Sequence, residues 1–585
     1  MGAEMSEPTT FRELFFQSQT KFGEMEAFQY VNGQEMKKIS FGRFYADMVK
    51  MSNYIYRISD GGMIAVVAKN SYEYILVMTA CLCGAGRLFL VDGDSSDEWL
   101  LNFFDKTGID LILYDHFYQN KIEKIKKHIN PLKFVNINKC CEVHAEETDF
   151  IFDDYSFDGM RIIITTSGTS QGSKKKVMLS GRALLNCLMA FTNEVFSDEK
   201  SHGITQLLVL PLFHIYAFVC VILLGAYIGN PTYISGGSNY IEKELLMYNP
   251  HYICVVPSIL NYLYNRCQSK LANGVISNVQ EYFGTNLFRF ICGGAKNNIQ
   301  ILQGYHDIGI EVIRGYGMSE AAPLISVNNS KTAKVDFENV GSPAKCHELN
   351  IINGEICIRG ENLMLGYYKE AELTENAYAD GWFRTGDIGY IGHNGLLYIT
   401  GRIKNVIVLS SGKKIIPEEI EEAVCRFPGV MECAIYSVDD RSLSLYLYCE
   451  DVISYRDELL KNIDRYNDGQ PIYKKIRHII IGDVQLPKTS INKIDRSKIV
   501  QHACLMEINN KLRTILMERL YFKAYVSSND LFSEKLNFDS IELTSFMCEI
   551  EETMNCSLDI NKFLTMDTLM DFSNYVYGLV SSNQA

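Results

Sequence analysis

The sequence predicts an α/β protein of several folding units. A large multi-part body with parallel-type sheets spans residues 1–401, a smaller α/β unit spans 402–500, a linker occupies 501–507, and an all-α four-helix bundle takes 508–585. Three observations carry this expectation. At 585 residues the chain exceeds what one hydrophobic core supports, since domains run to about 100–200 residues. Through the first four hundred residues, short apolar runs alternate with helix-like stretches, as strands covered on both faces do. From Met506 onward the period is helical, with 12 acidic and 6 basic side chains.

The strand-like runs of the large body include Met63–Ala68, Ile109–Tyr114, Arg161–Thr165 and His251–Val256. Leu207–Ile228 lacks any formal charge and is long enough to cross a bilayer. Pro211 and His214 interrupt it and Gly225 and Gly229 close it, so it reads as a buried strand, a turn and a core helix. Near residue 400 the texture changes: Gly401–Asn405 leads into Val406–Leu409, then Ser410-Ser411-Gly412. A helix starts at Pro417-Glu418-Glu419, with proline in the first turn and acids at the positive end of the dipole. Strands at Ala434–Val438, Ser444–Cys449 and Arg477–Ile481 complete the smaller unit. In the last segment Leu512, Ile515, Leu516 and Leu520 share one helix face, and Ile541, Met547, Ile550 and Met554 another.

Composition excludes several classes. The apolar share of 47% and charged share of 22% rule out wholesale disorder. A net charge of −14 argues against a nucleic-acid partner. The 17 cysteines include no C-x-x-C pair, and no basic-then-apolar leader opens the chain. Reduced thiols, a cytoplasmic location and no membrane span are therefore expected. Met1–Ser6 fits a myristoylation pattern, but no basic cluster follows to supply a second anchor.

Chemistry concentrates in a few segments. Thr165–Lys176 (T-T-S-G-T-S-Q-G-S-K-K-K) follows a strand-like run, with hydroxyls, glycines and lysines suited to an anion. It is not a Walker A loop, because the spacing from Gly168 to Gly172 is too short; a plain polar turn is the alternative. Gly315-Tyr316-Gly317-Met318-Ser319-Glu320 offers a flat aromatic, pliant backbone, a hydroxyl and a carboxylate. Thr385-Gly386-Asp387 sets an acid behind a glycine turn, and Leu486–Arg496 is a loop with Lys493 near its tip. Each alone also fits a surface loop or a capped helix start.

Taken in order, these segments resemble the adenylate-forming superfamily of acyl-CoA synthetases, luciferases and nonribosomal peptide synthetase adenylation domains, from about Thr10 to Val500. The resemblance implies a small mobile subdomain and one ATP site, using ATP and Mg²⁺. Thr166, Ser167, Gly168, Thr169 and Lys175 would cover the phosphates, and Tyr316 would stack on adenine beside Gly293, Gly294 and Ala295. Gly317 and Met318 would adjoin, Ser319 would touch phosphate, and Glu320 would help hold Mg²⁺. Asp387 would grip the ribose with Arg402 nearby, Lys404 would be the hinge and Lys493 the catalytic lysine. The phosphate loop is one residue longer than the family pattern and lacks its proline and final glycine, and Asn492 stands where glycine precedes that lysine.

The resemblance also implies a substrate and an acceptor. His214 stands in L-P-L-F-H-I-Y-A where amino-acid-activating relatives carry aspartate, so an α-amino acid is disfavoured against an aryl or fatty acid. His214 would lie beside the carboxylate as a catalytic-site residue, and an ordinary core histidine is the alternative. The matched acyl pocket is His214, Tyr216, Phe218, Phe290, Cys292, Gly315, Pro323 and Leu324. Phe538-Asp539-Ser540-Ile541-Glu542-Leu543 looks like the attachment motif of a carrier protein, so Ser540 would bear 4'-phosphopantetheine, with a simple N-cap as alternative. A phosphopantetheinyl transferase would load Ser540, Gly412 would line the pantetheine tunnel, and a downstream synthase or transferase would take the acyl group. The rival expectations are a ligase using free coenzyme A and an amino-acid-activating module.

Overall fold

The structure, a computed structural model, describes residues 7–129, 133–140, 148–154, 157–166, 174–197, 203–329, 331–334, 336–489, 494–519, 525–530, 540–563 and 565–584. The chain forms two compact units. One comprises Met1–Thr385 and Gly389–Ile399, the other Gly386–Ile388 and Thr400–Ala585.

Two large sheets organise the first unit. The nine-stranded sheet runs Ser342–Pro343, Ser326–Val327, Glu311–Tyr316, Arg289–Cys292, Tyr252–Val255, Gln206–Leu208, Thr232–Ile234, Glu26–Asn32 and Glu35–Ser40. From Glu311–Tyr316 to Glu26–Asn32 every neighbouring pair is parallel, and antiparallel strands close both edges. The seven-stranded sheet has Gly366–Tyr367, Lys176–Ser180, Met160–Thr165, Arg87–Leu90, Met63–Val67, Leu111–Tyr114 and Lys133–Asn136 in spatial order. Its last five strands are parallel. Strand Met63–Val67 is buried at every position, which is why it reads as an unbroken apolar run.

One core joins the sheets. Ile64, Leu88 and Ile162 of one sheet and Tyr252, Ile291 and Ile313 of the other share a cluster with the helices Phe41–Ser59, Tyr72–Ala80 and Gly181–Val195. The uncharged run resolves as expected into strand Gln206–Leu208, a turn at Pro211–His214 and helical residues Ile215–Ile228, closed by Gly229 at φ 75°. No helix among the described residues is long and apolar enough to cross a membrane. A further sheet in the order His347–Ile352, Glu355–Gly360, Trp382–Ile391, Tyr378–Ala379 has Leu397–Arg402 paired to its long strand. This antiparallel arrangement was not anticipated, because its strands are mixed in polarity rather than continuously apolar.

In the second unit, strand Leu443–Tyr448 is flanked by antiparallel Glu432–Tyr436 and parallel Ile476–Gly482. Helices Pro417–Val424 and Val452–Asp468 cover one face through Ile420, Val424, Leu459 and Ile463. Helix Ile499–Thr514 covers the other, with Ile499, Ala503 and Met506 against Ala434, Tyr436 and Tyr446.

That helix corrects one expectation. Residues 501–507, read as a linker, lie inside helix Ile499–Thr514. The reason is its apolar spacing: Ile499, Ala503 and Met506 recur at i, i+4 and i+7 and bury against the sheet, a pattern a solvated tether would not keep. Further along, Ile508, Leu512, Ile515 and Leu516 turn to a second core with Phe546 and Ile550 of helix Ser540–Met554, Phe563 of Ile560–Phe563, and Phe572 and Val576 of Leu569–Gln584. One helix thus serves both the sheet and the C-terminal helices.

Candidate active site

Several of the candidate residues of the first unit follow the carboxyl ends of parallel strands, where open α/β sheets bind ligands. Strand Arg289–Cys292 runs into Gly293, whose N–H donates to the Val255 carbonyl at 3.2 Å. Gly294 follows at φ 89° and Ala295 extends the turn. A Cβ on Gly293 would lie 3.5 Å from the Gly315 oxygen and 3.7 Å from Tyr216 Cζ, so these predicted residues crowd together. The neighbouring strand Glu311–Tyr316 delivers Tyr316, whose carbonyl accepts from Ile325 at 2.9 Å.

Past Tyr316 the backbone doubles back so tightly that glycine is obligatory at 317: a Cβ there would sit 1.6 Å from the Pro323 oxygen. Met318 is extended, and Ser319–Ala321 form a short 3-10 turn that buries Glu320. Asn362, fully buried, donates to the Ala321 and Leu324 carbonyls at 3.1 and 2.9 Å and so fastens the turn. His347, in strand His347–Ile352, lies beside this corner, and burial pulls its pKa down to about 4.

Glu320 is joined to the predicted phosphate loop through a residue the sequence reading passed over. The Tyr367 hydroxyl donates to Glu320 Oε1 at 3.0 Å, and Lys175 Nζ donates to the Tyr367 oxygen at 3.1 Å. The ammonium also lies 4.6 Å from the centre of the Tyr367 ring. Burial, with Glu320 beside it, raises the Tyr367 phenol far above its ordinary range, so it stays a donor. The loop stem is a hairpin: Thr165 pairs with Lys176, and the Thr166 N–H donates to the Lys175 carbonyl at 2.9 Å. Ser167, Gly168 and Thr169 lie outside the described residues.

The three lysines of the loop diverge. Lys174 Nζ goes to Ser95 Oγ at 2.8 Å, and burial lowers its pKa. Lys176 pairs with Glu370 at 2.7 Å. Lys175 is directed at Tyr367 and Glu320. The signal for Tyr367 was a glycine followed by two tyrosines and a lysine at 366–369.

The predicted acyl-pocket residues separate. Asn70 pins their segment, accepting from the Leu212 N–H at 2.9 Å and donating to the Leu210 carbonyl at 2.8 Å. His214 caps a short helix with its ring 4.3 Å from Phe213. Tyr216, half-buried, donates to the Ile291 carbonyl at 2.8 Å. Phe218 is fully buried, and Pro323 and Leu324 follow Glu320 in the Asn362-held turn. The structure does not bring Phe290 to them. Strand alternation sends Phe290 and Cys292 to a second core and Ile291 to the first. Phe290 packs 5.1 Å from Tyr305, and the Cys292 thiol donates to Asn297 at 3.0 Å.

The remaining predicted residues belong to the second unit. Asp387 is buried and doubly bonded by the Arg402 guanidinium, whose second bond measures 3.3 Å. Lys404 lies exposed in the 3-10 turn Ile403–Asn405. Gly412, at φ 76°, turns the hairpin between Ile407–Val408 and Lys414–Ile415. The lysine loop closes as a bridge between Lys488 and Ile494, with Lys488 on Glu432 at 2.6 Å and Arg496 on Glu421 at 2.5 Å; Lys493 lies outside the described residues. Ser540 opens helix Ser540–Met554.

Known proteins share this architecture. The chain is 26% identical over 466 residues to a long-chain-fatty-acid–CoA ligase of Haemophilus influenzae, covering 75% of this chain and 77% of that one. O-succinylbenzoate coenzyme A synthetase of Bacillus subtilis, solved with ATP and magnesium ion, superposes with TM-score 0.70 at 20% identity, over 83% of this chain and 99% of that one. ATP-bound MatB from Rhodopseudomonas palustris gives TM-score 0.72 at 19% identity, over 85% and 99%. Residues 15–368 match the family described as AMP-binding enzyme. With that match spanning more than half of its length, the chain belongs to the AMP-binding enzyme family.

Proposed function

We propose that this chain is an acid–thiol ligase: it activates a carboxylic acid with ATP as an acyl adenylate, releases pyrophosphate, and passes the acyl group to a thiol. The observation that carries the reading is the linked set Lys175–Tyr367–Glu320, which ties a hydroxyl- and lysine-bearing turn to a buried carboxylate. A carboxylate repels nucleophiles through its own charge. Its oxygen therefore attacks the α-phosphorus of ATP, the bond to pyrophosphate breaks, and the acyl carbon becomes electrophilic. The thiol then adds to that carbon, loses its proton to solvent, and expels AMP.

The barrier is chiefly one of gathering anions, so placed charge is what the protein contributes. Lys175 would meet the phosphates from the loop stem, Tyr316 would face adenine, and Asp387, oriented by Arg402, would take the ribose hydroxyls. Among the described residues no group of three or more His, Cys, Asp or Glu side chains is placed to hold a metal. Glu320 still fits Mg²⁺, which commonly takes one or two carboxylates together with nucleotide phosphates. When bound, the ion neutralises charge on the phosphoryl oxygens. Lys493 would add its ammonium at the same stage, and loss of such a partner costs on the order of 3–4 kcal/mol.

The acid in this reading is aryl or fatty, because His214 replaces the aspartate that would pair an ammonium and the neighbouring Tyr216, Phe218 and Leu324 are apolar in body. The acceptor is a phosphopantetheine thiol on Ser540, loaded by a phosphopantetheinyl transferase and unloaded by a separate acyl-accepting enzyme. Ser540 opens helix Ser540–Met554, and the positive end of a helix dipole favours a phosphodiester. A second reading, transfer to free coenzyme A, is favoured by the coenzyme A ligases to which the chain is similar. It is also favoured by the buried polar network that fastens the C-terminal helices to the small sheet through Arg513 and Asp483.

One pair of assays tests the reading. Acid-dependent exchange of pyrophosphate into ATP is expected with aryl or fatty acids and not with amino acids. Incubation of the full chain with coenzyme A and a phosphopantetheinyl transferase is expected to add one phosphopantetheine to the Ser540 peptide. No exchange with any acid defeats the activation step. An unmodified Ser540, with unchanged turnover on coenzyme A in Ser540→Ala, assigns the acceptor to the free thiol.

A further inference from the structure

Two cysteines of the second unit face each other across the end of a helix. Cys425 follows helix Pro417–Val424, and Cys433 lies in strand Glu432–Tyr436. Their sulfurs are 3.4 Å apart, and the Cys433 thiol also reaches the Glu421 carbonyl at 3.4 Å. Cys433 is 3% exposed, whereas Cys425 is half-buried. The contact with the Cys433 sulfur holds the Cys425 thiol below the usual range, against the opposing effect of burial. That contact, together with burial, pushes Cys433 well above it. The less buried thiol, Cys425, is thus the thiolate-prone one and Cys433 its natural resolving partner.

The pair adjoins the two glutamates that hold the described ends of the segment 487–496. Glu432, directly before Cys433, accepts from the Leu486 N–H at 3.2 Å and from Lys488 Nζ at 2.6 Å. Glu421, whose carbonyl faces the Cys433 thiol, takes Arg496 through 3.0 and 2.5 Å bonds and the Ile435 N–H at 2.7 Å. Two glutamates, one on each element bearing a cysteine, therefore hold the two ends of that loop.

We propose that Cys425 and Cys433 are a reversible redox site, a dithiol that closes to a disulfide and in doing so slackens the anchors of the 487–496 loop. With a low-molecular-weight disulfide such as oxidised glutathione as oxidant, the Cys425 thiolate attacks one of its sulfurs and releases one glutathione. The Cys433 sulfur then attacks Cys425 of the mixed disulfide and releases the second glutathione. The two thiol protons pass to the two released glutathiones, and two electrons move from the cysteine pair to the oxidant. A disulfide needs its sulfurs at about 2.05 Å, so the helix end and the strand must approach. The bond from the Cys433 thiol to Glu421 is lost with its proton, and the glutamates on both elements shift.

The test uses the full-length chain. After treatment with oxidised glutathione, peptide mapping is expected to show Cys425 joined to Cys433 with loss of two hydrogens. Native-state trypsin is expected to cut after Lys488 and Arg496 about five-fold faster, the scale of one lost hydrogen bond or ion pair. Dithiothreitol restores the slow rate, and Cys425→Ala removes both effects. Glutathione remaining on Cys425 without an internal disulfide overturns the proposal, and so does a disulfide that leaves both cleavage rates unchanged. The map and the cleavage rates need only the wild-type chain should the variant fold poorly. Slower adenylation on oxidation is a consequence that rests on the function proposed above. Absence of pyrophosphate exchange in the reduced protein counts against that function and leaves the peptide readouts untouched.

Discussion

The Tyr367 phenol donates a 3.0 Å hydrogen bond to the buried Glu320 carboxylate while accepting one of 3.1 Å from Lys175. Tyr367 sits on the two-residue edge strand Gly366–Tyr367, paired with Lys176–Ser180, so the strand that begins directly after Lys175 also positions the tyrosine. Tyr367 thereby links Lys175, on the stem of the 165–176 hairpin, to Glu320.

Tyr367→Phe keeps the ring and removes the donor. A hydrogen bond to a charged group is worth about 1.5–3 kcal/mol, so pyrophosphate exchange is expected to fall about 10- to 100-fold, with a higher magnesium requirement. Tyr368→Phe is the control, because that hydroxyl goes to the Thr107 carbonyl at 2.8 Å, away from Glu320. Equal losses in the two variants would mean that Tyr367 serves packing rather than the carboxylate.

Gly317→Ala tests the tight return after Tyr316. The added methyl would lie 1.6 Å from the Pro323 oxygen, a backbone atom with no rotamer to yield. Overpacking of this kind costs about 1–3 kcal/mol. The strain falls on the turn holding Ser319 and Glu320, so exchange is expected to drop at least about ten-fold while the thermal midpoint moves by only a few degrees. Gly309→Ala, at a glycine with nothing within 4 Å of a Cβ but φ 81°, should touch stability and spare exchange.

Much of this architecture was legible because apolar runs and turn residues are local signals. Met63–Ala68 resolves as strand Met63–Val67 and Arg477–Ile481 as Ile476–Gly482, and Pro417 opens its helix. What escaped was long-range. Tyr367 and Lys175 are 192 positions apart, and no local pattern ties them. The antiparallel sheet built on Trp382–Ile391 alternates in burial, so it lacks the continuous apolar run that marked the other strands. Which face Phe290 takes is not legible from a motif match: its strand is buried on both faces, and period-2 alternation sends Phe290 and Cys292 to one core and Ile291 to the other. The 501–507 helix was missed because its buried residues answer two different cores.

His347 gives the site's corner a pH response. Burial lowers its pKa from 6.5 to about 4, so the unfolded chain binds a proton near pH 6.5 that the folded chain refuses until about pH 4. Stability is therefore full above about pH 6.5 and declines as the pH falls from there toward 4. Urea midpoints measured from pH 7.5 to 4.5 are expected to fall less steeply in His347→Gln. The slope should not vanish, because burial also lowers His251 and His502. Identical slopes in wild type and variant would show that His347 does not titrate this way.

A buried pair joins helix Ile499–Thr514 to the end of the small sheet. Arg513 and Asp483 have side chains 7% exposed. The guanidinium donates to Asp483 at 3.2 Å, to the Val526 carbonyl at 2.7 Å and to Ser528 Oγ at 3.1 Å. Asn509 continues the network to Ser573 at 2.9 Å. Burial alone would raise the Asp483 carboxyl, but Arg513 and Ser528 outweigh it and hold it below the ordinary value. Its contribution is thus present above about pH 3.9 and lost as the pH falls through the lower folded value. Arg513→Met leaves the carboxylate buried without its partner, a change that costs about 3–5 kcal/mol. Hydrogen exchange at neutral pH is expected to quicken in Ile499–Thr514 and Leu569–Gln584 of the variant and stay slow in Met63–Val67. Wild type should show the same loosening only in acid, as Asp483 protonates. Unchanged protection in both helices would mean that apolar packing by Leu512, Phe572 and Val576 holds them without the ion pair.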